Sequence, residues 1–323
     1  MIFHFTIKNR FQRSLNIERF LKNPKDKTVV IICGPTAVGK TFISIALAKY
    51  FNTEIISADS RQCFKELKIG VARPSDEELK EVPHHFIASY SVKENISAAF
   101  FEKFALQKAA ELFKTHDTII MVGGTGLYIK AFCEGLDEIP PIDETIRKNI
   151  IKDYELYGLS WLQEQVKIND PEFYKVGEIQ NPQRLMRALE VVESTGQSIL
   201  SFRKNKKTKR PFSIIMIGLE LPKDELHTNI NSRVDKMLQD GLVEEVSSLA
   251  GYRDVNALQT VGYSEIFEHL DGKMSLAAAI EEIKKNTRQY AKRQMTWFKK
   301  DKEINWVNAK QTDDILSMAQ KLV

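Results

Sequence analysis

The strongest chemical signal in this chain is Gly34-Pro35-Thr36-Ala37-Val38-Gly39-Lys40-Thr41. Two glycines with four residues between them, then Lys and Ser/Thr, form the pattern of a phosphate-binding loop. The loop lies between a β-branched run, Thr28 to Cys33, and an apolar-periodic run, Thr41 to Tyr50. These read as a buried strand and the helix that follows it. A turn between strand and helix points its backbone N–H groups at one spot, and the helix N-terminus adds partial positive charge there. Lys40 supplies a point charge, and the Thr41 hydroxyl can ligate Mg²⁺. Such a site holds a di- or polyphosphate, nucleotides included.

A second chemical group accompanies the loop. The stretch Thr53 to Ala58 reads as a strand ending at Asp59-Ser60. Asp59 is the one early carboxylate at a strand end near the loop, and it reads either as a helix N-cap or as a general base. The strand Thr118 to Val122 ends in Gly123-Gly124-Thr125-Gly126. Kinases and NTPases usually carry an acidic residue at such a position for the Mg²⁺ shell. Its absence argues against a standard ATPase.

These groups need a scaffold. Strands and helices alternate over the first 130 or so residues, which predicts a parallel α/β sheet with its ligand beyond the carboxyl ends of the strands. Pro140-Pro141 breaks the pattern, and residues 143 to 200 read as helices, among them an amphipathic one from Gln183 to Thr195 stopped by Gly196. Strand character returns at Ser213 to Leu221, followed by helices over 222–239 and 275–301. The expected organisation is a basic extension at 1–27, a core of 28–136 plus 206–323, and an inserted helical module at 137–205.

The bulk numbers fit this plan. The chain has 323 residues, 43% hydrophobic and 28% charged, with net charge +4, ordinary for a globular protein large enough for two domains. No apolar run reaches the length of a membrane span. Cys33, Cys63 and Cys133 lie far apart and read as reduced thiols of a cytoplasmic protein. Basic clusters at 203–210 and 284–300 are either phosphate-backbone contacts or solvated faces. Arg184 and Arg187 share one helix face, open to RNA or paired with Glu190 at i+3 from Arg187. Adjacent His84 and His85 suit a structural role better than metal ligation.

Several ordered blocks together resemble the tRNA dimethylallyltransferase (isopentenyl-tRNA transferase) family, of the bacterial type. They are GPTAVGKT (34–41), SADSRQCFKELKIGVARP (57–74), Val82 to Phe86, GGTGLYIKA (123–131), NPQRLMRALEVVESTG (181–196), SRVDKMLQDGLVEEV (232–246), TVGYSE (260–265) and TRQYAKRQMTWF (287–298). The resemblance runs from about Thr28 to Val307. Phe64, Ala88 and Pro182 depart from the family pattern, where Tyr, Asp and Asp are common.

The resemblance implies a P-loop NTPase-like parallel sheet with an inserted small helical domain. It implies a cytoplasmic, monomeric enzyme that uses Mg²⁺. The reaction transfers a dimethylallyl group from dimethylallyl pyrophosphate to N6 of adenine 37, beside the anticodon of tRNAs reading codons that begin with U. It makes Asp59 the general base and sets Thr36 on the bridging oxygen of the pyrophosphate. Residues 34–41 and Arg233 would bind the pyrophosphate, with Thr41 on the metal. Asp59, Ser60, Arg61 and Gln62 would meet the flipped adenine. Thr125 and Arg147 would contact the anticodon loop, as would Gln183, Arg184, Leu185, Met186 and Arg187. Two readings compete: an ATP-dependent small-molecule kinase and a non-catalytic, RNA-binding nucleotide switch.

Overall fold

The computed structural model describes residues 27–204 and 207–323, so the basic extension falls outside the described residues apart from Lys27. Six parallel strands form one sheet in the order β3-β2-β4-β1-β5-β6. The strands are β1 (Thr28–Cys33), β2 (Ile55–Ser57), β3 (His84–His85), β4 (Thr118–Gly123), β5 (Ser213–Glu220) and β6 (Asn305–Asn308). β1 pairs with β4 on one side, Cys33 opposite Gly123, and with β5 on the other, Cys33 opposite Gly218. The edge strands β3 and β6 are short and carry no alternating apolar pattern that would announce them.

The sheet is covered on both faces, so its central strands are continuous apolar runs. Alternation along β1 divides the core: Val29, Ile31 and Cys33 pack into one cluster, Val30 and Ile32 into the other. Helix α1 (Lys40–Phe51) buries Ile43, Ile45, Leu47 and Ala48 in the second cluster. Next come α2 (Asp76–Glu81), α3 (Ala98–Leu112) and α4 (Gly126–Glu134). Phe64 is buried in the first cluster, so at this position the chain demands apolar volume rather than a hydroxyl.

Between α4 and β5 lie α5 (Glu144–Asn169), α6 (Pro171–Val176), α7 (Pro182–Thr195) and α8 (Ile199–Phe202). They close on a third apolar cluster of their own, with Leu162, Val166, Phe173, Leu185 and Leu189 at its centre. Pro182 occupies the first turn of α7, where its missing N–H costs nothing, and the Asn181 side chain accepts from Arg184 N. The chain returns through α9 (Lys223–Gln239), α10 (Leu242–Ser248), α11 (Tyr263–Leu270), α12 (Leu276–Phe298) and the terminal α13 (Thr312–Leu322).

A candidate diphosphate-binding and transfer site

The turn after β1 takes its shape first from its backbone geometry and is then braced by side chains. Gly34 adopts φ +140°, and a Cβ there would sit 2.6 Å from the Leu219 carbonyl oxygen on β5. Only glycine allows both the dihedral and the close approach. Ala37 sits at φ 63°, a strained value of the kind stored at ligand-gripping turns. Lys40 folds back over the loop, its Nζ donating to the Gly34 (3.0 Å) and Pro35 (2.7 Å) carbonyls. Burial and the nearby charge of Arg233 lower the Lys40 ammonium to about 8. The ammonium stays mostly charged at neutral pH, and an anion arriving in the loop favours that form further.

Thr36 is pinned from two sides. Its N–H donates to Gln294 Oε1 at 2.8 Å, and its hydroxyl accepts from Arg233 Nη1 at 3.2 Å. The Gln294 amide in turn donates to the Gly124 carbonyl at 2.9 Å. Thr36 Oγ1 therefore keeps its own proton free to donate toward the loop, with a cation behind it. Gln294 is buried and ties α12 to the phosphate loop and to the end of β4. A Cβ at Gly124 would lie 2.3 Å from the Gln294 Nε2, so this glycine makes room for the bridge. Gln294 lies within the block TRQYAKRQMTWF (287–298), which by itself gave it no role; the signal that points to it is a polar residue on the apolar stripe of an amphipathic helix.

Asp59 follows β2 by two residues. Its Oδ1 accepts from Arg61 N (2.9 Å) and Gln62 N (3.2 Å), so the side chain is both a turn cap and a presented carboxylate. Oδ2 has no hydrogen-bond partner among the described residues. The turn is anchored further by Thr125, whose Oγ1 accepts from Ser60 N at 3.0 Å, and by Gln62, whose amide donates to the Val71 and Ala72 carbonyls. Asp59 shares one cleft with Lys40, Thr41, Ser57 and Gln62. Tyr290 of α12 lies close by, part-exposed; the partial burial of its phenol, then the charge of Asp59, raise it to about 12.

The donor set bears on a metal. Among the described residues no three His, Cys, Asp or Glu side chains converge as an all-protein cage. The cleft instead offers Thr41, Ser57 and Asp59. These oxygen ligands suit a hard cation that shares its shell with water and phosphate oxygens. His84 also lines the cleft; its Nδ1 contacts the Val82 carbonyl at 2.8 Å. His85 faces Glu54 at 2.6 Å. The adjacent imidazoles face different neighbours, and His84 Nε2 is buried without a hydrogen-bond partner among the described residues.

The inserted helices hold the other expected residues. Gln183, Arg184 and Arg147 are exposed, whereas Leu185 and Met186, expected to contact the anticodon loop, are buried in the helical core because they form the apolar face of α7. Arg184 pairs with Glu178 at 2.6 Å, and both Arg187 and Arg147 pair with Glu190. Much of the remaining positive charge is spoken for within the protein. Arg210 is buried on Glu102, Lys207 pairs with Glu134, Lys284 with Asp235 and Lys299 with Glu220. Lys292 and Arg293 lie exposed on α12, Arg293 over the Tyr290 ring.

Comparison with known proteins agrees with this geometry. Residues 62–301 match the family model for IPP transferase. A tRNA dimethylallyltransferase of Christiangramia forsetii is 51% identical over 86% of this chain and 92% of its own length. One from Bacteroides fragilis is 45% identical over 91% and 98%. The crystal structure of tRNA isopentenylpyrophosphate transferase from Bacillus halodurans superposes with a TM-score of 0.68 at 34% identity, covering 91% of this chain and 96% of that one. A eukaryotic dimethylallyltransferase acting on tRNA gives a TM-score of 0.74 at 26% identity, covering 91% and 77%. These matches set aside the small-molecule kinase reading. The parallel sheet is of the P-loop NTPase-like kind found in these enzymes, and the chain belongs to the IPP transferase family of tRNA dimethylallyltransferases.

Proposed function

We propose that this protein transfers a dimethylallyl group from dimethylallyl pyrophosphate to N6 of adenine 37 in the anticodon loop of tRNAs reading codons that begin with U. One observation carries the reading. A carboxylate with one oxygen tied down and the other free, Asp59, shares a cleft with Lys40 and Thr41 of a phosphate loop.

The reaction demands two things. The exocyclic amine is a poor nucleophile because its lone pair is delocalised into the ring, and the diphosphate must leave as an anion. Residues 34–41 would cradle the diphosphate, with Lys40 and Arg233 offsetting its charge and Thr36 Oγ1 donating to the bridging oxygen. Mg²⁺ held near Thr41 would neutralise further charge on the leaving group. The N6 lone pair attacks the allylic carbon, the carbon–oxygen bond breaks with its electron pair leaving on pyrophosphate, and the N6 proton passes to Asp59 Oδ2.

The adenine must leave its stack to reach Asp59. Asp59, Ser60, Arg61 and Gln62 form the turn that would meet it, and Thr125, which would contact the anticodon loop, also accepts from Ser60 N in that turn. Helices of the 137–205 insertion would hold the anticodon stem-loop through Arg147, Gln183, Arg184 and Arg187, with Leu185 and Met186 supporting their helix from the core. The enzyme would act in the cytoplasm as a monomer. Among the described residues no helix is long and apolar enough to cross a membrane.

Incubation with radiolabelled dimethylallyl pyrophosphate, Mg²⁺ and bulk tRNA tests the proposal. Label is expected in RNA, at the nucleoside beside the anticodon. Label that stays in unreacted dimethylallyl pyrophosphate or in the alcohol formed by its hydrolysis would overturn it and revive the nucleotide-switch reading.

A further inference from the structure

Glu190 lies in the interior of the inserted helices, its side chain only 2% exposed. Two cations from different helices converge on it. Arg147 of α5 reaches Oε1 with Nη1 at 3.0 Å, and Arg187 of α7 reaches Oε2 with Nη1 at 3.1 Å. One oxygen serves each arginine. Both arginines remain part-exposed, at 48% and 40% of their side-chain surface. The remaining N–H donors of each planar guanidinium are left for an outside acceptor.

We infer that Glu190 is a positioning residue for RNA: its buried carboxylate gathers Arg147 and Arg187 into a single two-arginine clamp for the phosphate backbone. This rests on the reading above that these arginines face tRNA. An arginine free on its stem must be immobilised when it binds, and that ordering is lost affinity. A carboxylate fixed in the helical core orders both side chains beforehand, and the group of three still carries net charge +1. Contrast Arg184, whose partner Glu178 is as exposed as itself; that pair is screened and contributes little order.

The sign of the charge change separates positioning from plain electrostatics. Glu190→Gln keeps the size of the side chain and adds one unit of positive charge. If Glu190 only offset charge, the variant would bind tRNA more tightly and with a steeper salt dependence. Positioning predicts the opposite: roughly tenfold weaker tRNA binding, an unchanged transfer rate at saturating tRNA, and unchanged diphosphate affinity.

The experiment compares wild type, Glu190→Gln and the triple variant Arg147→Ala/Arg187→Ala/Glu190→Gln in tRNA titrations over a range of salt, with thermal melts confirming the fold. The triple variant leaves no unpaired buried charge, so it isolates the arginines. If it binds tRNA like wild type, the RNA role of the arginines fails and the inference falls with it. If it binds weakly while Glu190→Gln binds as well as wild type or better, the arginines stand and the positioning role of Glu190 is overturned. Weak binding by both supports it. Should Glu190→Gln not fold, Glu190→Asp, which keeps the charge but is too short to span both guanidinium groups, is judged by the same criterion.

Discussion

Asp59 divides its two oxygens between structure and chemistry. Oδ1 holds the turn through two backbone N–H groups, and Oδ2 is left to the cleft. Asparagine can still cap the turn through its carbonyl oxygen but cannot take a proton. Asp59→Asn is therefore expected to lose about 10²-fold or more in single-turnover transfer while binding tRNA normally; near-normal turnover would remove Asp59 as the base. Lys40 has the complementary role. Its ammonium is parked on two loop carbonyls and would exchange them for phosphate oxygens. Lys40→Ala should weaken the diphosphate complex far more than the tRNA complex, and equal losses in the two titrations would count against that assignment.

Helix α12 sets the element scale. It crosses from the α11 side of the core to the phosphate loop and delivers Gln294 to Thr36 N and to the Gly124 carbonyl. The Gly126 position is equally close, since a Cβ there would meet the Trp297 indole at 2.2 Å. The glycines after β4, where a kinase would show a carboxylate, thus serve helix packing. Gln294→Leu keeps the volume but leaves a buried N–H and a buried carbonyl without partners. A destabilisation of about 1–3 kcal/mol per orphaned group is expected, together with weakened diphosphate binding, readable by chemical denaturation and by titration. Unchanged diphosphate affinity would show that the loop holds its shape without the bridge.

At the scale of the molecule, the sheet brings the phosphate loop and Asp59 to the carboxyl ends of β1 and β2, and the helices between α4 and β5 pack on their own core. Positive charge is concentrated less than the sequence suggests, because Lys207, Arg210, Lys284 and Lys299 are engaged internally. On the proposed reading, the RNA contact falls to the part-exposed arginines of α5 and α7, which keep further N–H donors outside their ion pairs. Arg184→Ala should weaken tRNA binding and reduce the slope of log affinity against log salt by about one unit, with diphosphate affinity unchanged. A salt slope equal to wild type would remove Arg184 from the interface.

The amino-acid sequence by itself determined the phosphate loop, the central strands and the main helices. Local backbone chemistry suffices for these: glycine at Gly34, β-branched runs in β1 and β4, and caps such as Asn181 act within a few residues. It also placed Asp59 and Lys40 in one crevice, because parallel strands must end on the same side. Only the tertiary structure decided how the side chains share their partners. Thr36 meets Gln294 across a separation of 258 positions, and Arg147 joins Arg187 on Glu190 only because α5 packs against α7. The choice between Arg187 facing RNA alone and Arg187 paired with Glu190 was likewise beyond periodicity, which shows a shared helix face but not what lies beneath it. The edge strands β3 and β6 form because β2 and β5 offer unpaired edges, a property of the assembled sheet and not of the segments His84–His85 and Asn305–Asn308. Short-range sterics write themselves into residue types; long-range approach depends on every element packing at once.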